Sequence, residues 1–146
     1  MTRPTLKIEG EAQLMAALRA YGEKADAYVS DAVNATGLEL RGDIVKAYQR
    51  GPASGRVYQK SNPTRTHQAS APGEAPATDT GRGASSIEFK REGKMSVSVG
   101  SLLAYLAMLE FSTTRIAARP AWIPAIEKMR PKFRQRLETA LARAAK

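Results

Sequence analysis

The sequence predicts an α+β domain: a small antiparallel β-sheet packed against a long helix, with a C-terminal helix and a long extended loop. Three observations lead there. From Glu23 to Arg50, Ala25, Val29, Ala32, Val33, Thr36, Leu40, Ile44 and Ala47 recur every three or four residues, the spacing of one buried helical stripe. Two short runs, Ser86–Lys90 and Met95–Gly100, alternate apolar and polar residues as half-buried strands do. The last twenty or so residues return to helical spacing.

Taken in order, Thr5–Glu9 alternates through Leu6 and Ile8 and suits a short edge strand. Gly10 opens a helical pattern with Leu14, Ala17 and Leu18 on one face, and Gly22 is expected to interrupt it before the long helix. Within that helix Gly37 and Gly42 each cost about 1 kcal/mol relative to alanine, and mark either a bend or a close approach. Gly51-Pro52 ends it. Residues 51–83 hold Pro, Gly, Ser, Thr and Ala with hardly any large aliphatic residue, so a long flexible loop is expected there. Arg91-Glu92-Gly93-Lys94 reads as the turn of a hairpin, Leu102–Glu110 as a short apolar helix, and Ser112–Arg115 as a polar break. Pro124 suits the first turn of the last helix, whose buried face is read as Ile126, Met129, Phe133, Leu137 and Leu141; Pro131 should kink or split it. The length of 146 residues suits a single domain, and one is expected.

Composition narrows the chemistry. The chain has no cysteine, which removes disulfides and thiolate sites and suits a reducing cytoplasm. It has no apolar run long enough to span a bilayer, and its N-terminus lacks the apolar stretch of a signal peptide; no membrane association is expected. His67 is the only histidine and has no carboxylate near it in sequence, too little for a triad or a histidine-rich metal site. Asp26 with Asp31, and Glu39 with Asp43, read as solvated helix charges, and Glu110 as a partner for Arg115 or Arg119. Thr80-Gly81-Arg82-Gly83 lacks the lysine of a phosphate-binding loop and reads as a turn. No catalytic constellation, cofactor site or metal site emerges, and a non-enzymatic protein is expected.

The charge is +9, from 23 Lys and Arg against 14 Asp and Glu. An excess of this size points to a polyanion or to acidic protein neighbours. The candidate interface or DNA-facing residues are Arg56, Lys60 and Arg65 in the loop and Lys132, Arg136 and Arg143 on one exposed face of the last helix. Without a zinc-finger, zipper or paired-aromatic signature, any contact with nucleic acid would be electrostatic and indifferent to sequence.

Four pieces of the chain, in order, carry a resemblance. They are Pro72-Gly73 within the loop; Thr80-Gly81-Arg82-Gly83-Ala84-Ser85-Ser86-Ile87 leading into a strand; Tyr105-Leu106-Ala107-Met108-Leu109-Glu110-Phe111-Ser112-Thr113 ending a helix; and Ala118-Arg119-Pro120 ahead of Pro124-Ala125. Together they resemble the tail-completion, neck or head–tail joining proteins of long-tailed double-stranded-DNA bacteriophages. Pro72, Gly73, Gly81, Ser86, Ile87, Tyr105, Glu110, Thr113, Arg119 and Pro120 match that pattern. Three positions depart from it: Gly83 stands where the family carries leucine or another large residue, Leu106 where it carries alanine, and Ser112 where it carries glycine. If that glycine serves a positive φ, Ser112 is strained or the turn is reshaped.

The resemblance implies a structural virion protein assembled in the host cytoplasm and placed at the head–tail junction. It implies a ring of six copies, in contact with neighbouring neck and tail proteins such as the tail terminator and head-completion proteins, with non-specific contact to packaged double-stranded DNA. The alternatives are a tail-terminator ring subunit of the same virion, a non-specific basic DNA-binding protein, and a phage nuclease, for which clustered acids would be needed.

Overall fold

In the computed structural model, which describes residues 11–146, helix α1 runs unbroken from Glu11 to Arg50. The expected edge strand at Thr5–Glu9 lies outside the described residues. Gly22 does not interrupt the helix, a correction to the sequence reading. Its cost of about 1 kcal/mol is offset by the strong helix formers around it, among them Ala16, Ala17, Leu18, Glu23 and Lys24. The helix ends at Gly51-Pro52 as expected.

Residues 51–83, expected as one loop, hold a hairpin instead. Strand β1 (Val57–Ser61) pairs antiparallel with β2 (Thr64–Gln68), and Asn62-Pro63 makes the turn. Helix α2 (Arg82–Ser85) is a single turn preceded by Gly81 at φ 76°. A second hairpin follows, β3 (Glu88–Gly93) with β4 (Ser96–Gly100). Its register shifts between Arg91 and Gly93, and the turn falls at Lys94-Met95, slightly beyond the expected position. Helix α3 (Ala104–Phe111) and helix α4 (Trp122–Ala144) complete the chain.

The two hairpins form separate two-stranded sheets. The β3–β4 hairpin lies against α1, where a Cβ on Gly37 would come within 2.7 Å of both Phe89 and Val97. Gly37 therefore marks a close approach, and Gly42, with nothing within 4 Å of such a Cβ, does not.

Helix α4 packs antiparallel along α1. Lys128 pairs with Asp43, Lys132 with Glu39, and Arg136 donates to Thr36. Of the two outcomes expected at Pro131, the split does not occur: it lies inside a continuous α4. It sits on the exposed side with Glu127, so the carbonyl it leaves without an N–H faces solvent. Met129, Phe133 and Leu137 face inward as expected, but Ile126 and Leu141 are exposed, and the small residues Ala125, Ala140 and Ala144 are buried instead. The core gathers Ile44 and Tyr48 of α1, Ala84 of α2, Ile87, Leu106 of α3, and Ala121 and Ala125.

Candidate functional site

Residues 105–123 carry a dense set of hydrogen bonds centred on one buried carboxylate. Glu110, at the end of α3, is 6 % exposed. Its Oε2 accepts hydrogen bonds from the backbone N–H of Ala121 (2.8 Å) and Trp122 (3.0 Å), and Oε1 accepts from Ile123 (2.7 Å). The first N–H groups of a helix have no partner within it and carry partial positive charge. A buried carboxylate placed on three of them fixes where α4 starts and at what angle it leaves α3. The expected partners, Arg115 and Arg119, are not the ones Glu110 uses. Arg119 instead donates from Nε to the Ser70 carbonyl (3.2 Å), and its backbone N–H donates to Leu109 (2.6 Å).

The other residues of the quoted pattern gather around this clamp. Gly73 sits at φ 84°, and its N–H donates to the Ala118 carbonyl (2.9 Å), tying the proline–glycine loop to the segment before α4. Pro72 beside it is exposed, and Pro120 is half-buried next to Ala121. The hydroxyl of Thr113 accepts from Arg115 and Ile116, closing the turn after α3. Ser86 shares a hydrogen bond with Ser101 (2.7 Å), joining α2 to the lead-in of α3. Ile87 is fully buried, and its carbonyl accepts from Arg41 Nε (2.8 Å).

Two departures from the pattern meet in space. A Cβ on Gly83 would stand 3.4 Å from Leu106 Cδ2 and 3.1 Å from the Tyr105 hydroxyl. Where the resembled family places its bulk on the α2 side and alanine on the α3 side, this chain does the reverse. The third departure is strained. Ser112 adopts φ 68° and ψ 168°, a region open to glycine and costly for other residues. Ser112→Gly should therefore stabilise the protein by about 1 kcal/mol, the relieved strain less the extra chain entropy of glycine. A shift of the urea midpoint to lower concentration would show instead that the serine side chain supports the turn.

The nominated basic residues are mostly engaged. Lys60 and Arg65, on facing strands of the first hairpin, both bind the Asp79 carboxylate, Arg65 at 2.7 Å. His67 Nδ1 lies 3.8 Å from the same carboxylate, so the histidine does have a carboxylate neighbour, one brought close only by folding. Its two basic partners, Lys60 first, hold the Asp79 carboxyl below its ordinary range. Glu74 acts in a similar way on the neighbouring loop, accepting from the Ser54 hydroxyl and the Ala71 N–H (2.7 Å). These anchors and the hairpin give the segment 51–83 local structure that the sequence reading did not assign to it. Arg56 stacks over the Tyr58 ring, 5.3 Å from its centre.

Lys132 and Arg136 do not form the free face expected of them. Both are half-buried and bind Glu39, Lys132 at 2.5 Å. These two partners pull the Glu39 carboxyl from 4.5 down to about 2, so it stays ionised through the neutral and mildly acidic range. Only Arg143 of the three remains exposed, at the rim of a groove between α1 and α4. Glu39 and Asp43 were read as solvated charges. Their spacing of four on α1, against Lys128 and Lys132 at the same spacing on α4, is the signal that could have revealed the ladder. Asp79 had no such signal.

Among the described residues no group of three or more acidic or histidine side chains could hold a metal ion, and no helix is long and apolar enough to cross a membrane. No family model, no curated protein and no solved structure matches the chain.

Proposed function

We propose that this chain is a structural subunit of a tailed-bacteriophage virion, serving tail completion or head–tail joining in a ring of six copies at the neck. The observation that carries this reading is the ordered set of four sequence pieces, whose two size departures, Gly83 and Leu106, are neighbours: a Cβ on Gly83 would stand 3.4 Å from Leu106 Cδ2. Residues at matched pattern positions that must complement one another in size are what a shared scaffold requires. The pattern residues also hold backbone and core together, as Glu110, Gly73 and Ile87 do. A family defined by a scaffold rather than by an active site would keep such residues. The neighbours of the ring would be the tail terminator and head-completion proteins. Contact with packaged DNA would fall to exposed basic residues such as Arg130, Arg134 and Arg143 on α4.

Deleting the gene in the phage that encodes this chain should leave filled heads and finished tails unjoined. Electron microscopy of the lysate reads this directly, and wild-type chain supplied from a plasmid should restore joined particles. Normal virions from the deletion would overturn the proposal.

A further inference from the structure

Helix α1 outruns its partner. The pairing of Arg136 with Thr36 and of Lys132 with Glu39 brings the end of α4 level with about Tyr28. Residues N-terminal to Ala25 therefore project beyond it by about 20 Å, at 1.5 Å per residue. On this overhang Leu14, Leu18 and Tyr21 fall at i, i+4 and i+7, in line with Ala25, Ala32 and Thr36 of the stripe that α4 covers further along. Leu14 is 60 % exposed and Leu18 55 %, and Met15 beside them is also exposed. No described residue covers them.

At the opposite end of the α1–α4 pair lies an apolar groove of about 400 Å³ between α3 and the start of α4. Leu102, Leu103, Phe111, Trp122, Ile123 and Ile126 line it, with Leu102 almost bare to solvent and Phe111 largely exposed. Its one charged lining residue is Glu110, whose carboxylate is already occupied by three N–H groups.

We infer that the α1 overhang of one copy seats in the α3–α4 groove of the next, so that copies of this chain associate head to tail. The inference rests on the ring reading above and names the surfaces that would build it. Charge permits this pairing. Two copies each carrying +9 repel wherever basic surface meets basic surface, yet Glu11–Lys24 holds two acids (Glu11 and Glu23) and two bases (Arg19 and Lys24), and the groove presents no free charge. Leu14, Leu18 and Tyr21 have the spacing with which a helix anchors in a groove. Covering them with Met15, Leu102, Phe111, Ile123 and Ile126 would remove on the order of 1,000 Å² of surface, at the threshold for a specific contact. The overhang and the groove are separated along α1 by roughly 40 Å, so one chain cannot satisfy itself. Two different patches that mate between copies generate a ring when the rotation closes.

The chain has no cysteine, so introduced pairs report contacts cleanly. Full-length L18C mixed with full-length I123C should form a disulfide-linked heterodimer on mild oxidation, while neither variant alone links to itself. A chain carrying both should give a ladder of linked oligomers that ends at the ring. L18C linking to itself, or a protein that neither cross-links nor sediments above a monomer at any concentration, would overturn the inference. Leu18→Glu separates it from the reading on which it rests. With its melting temperature unchanged, it should fail to complement the gene deletion. If the deletion blocks joining and Leu18→Glu restores it, the virion role stands and the docking is wrong; if the deletion itself has no effect, the virion role is what fails.

Discussion

Replacing Glu110 with alanine should destabilise the protein by about 3 kcal/mol, because three N–H groups at the start of α4 lose their acceptor in a buried place. For a chain of this length that is a fall in melting temperature of about 10 °C. Two effects combine in the loss. A cap removed from an exposed helix costs about 1 kcal/mol, since water replaces it. Here the N–H of Ala121, itself 3 % exposed, is left in an apolar setting and bears its full desolvation cost. Glu110→Gln keeps the volume and one acceptor oxygen but turns an NH₂ group toward N–H donors, so an intermediate loss is expected. Calorimetry on the three proteins decides the matter. An alanine variant melting within about 2 °C of wild type would mean that α4 starts correctly without the carboxylate.

The exchange of bulk between Gly83 and Leu106 predicts non-additivity. Leu106→Ala should cost about 3 kcal/mol, since the side chain is 3 % exposed and its removal leaves a cavity. Gly83→Leu should cost about 1–3 kcal/mol through crowding against Tyr105 and Leu106. The double variant should fill from one side the space emptied on the other, and lose about 2 kcal/mol less than the two changes added. Urea unfolding of wild type, both single variants and the double variant gives this coupling. Strict additivity would show that the two positions do not share one volume.

Much of the fold could be read from residue patterns because those patterns record which face is buried. The stripe from Ala25 to Ala47, the stop at Gly51-Pro52 and the alternation through Phe89, Val97 and Val99 all report a core. The β1–β2 hairpin escaped because both of its faces are largely exposed, so Val57–Ser61 and Thr64–Gln68 show no apolar alternation; only Asn62-Pro63 signals its turn. At the candidate site the turn read at Thr80–Gly83 does hold Gly81 at positive φ, while the positive φ of Gly73 was not read from the sequence. The ion pairs of Lys60, Arg65, Lys132 and Arg136 were not legible because a cation looks alike whether it faces solvent or a carboxylate distant in sequence. Asp79 and Glu39 become their partners only through the tertiary fold.

The double attachment of α4 has a mechanical consequence. Glu110 fixes the origin of the helix, and the contacts with Asp43, Glu39 and Thr36 hold it against α1. Sliding by one turn would only exchange partners between rungs of equal spacing, Lys132 meeting Asp43 and Arg136 meeting Glu39, but it would pull the origin off its carboxylate, so the Glu110 clamp is what selects one register. The two ends of the helix pair therefore keep a constant offset and a constant dihedral relation. In any closed assembly of this chain, angular error at each joint accumulates around the circuit. A subunit whose two ends are geared together in this way contributes little of its own to that error, and leaves the joints to set the number of copies.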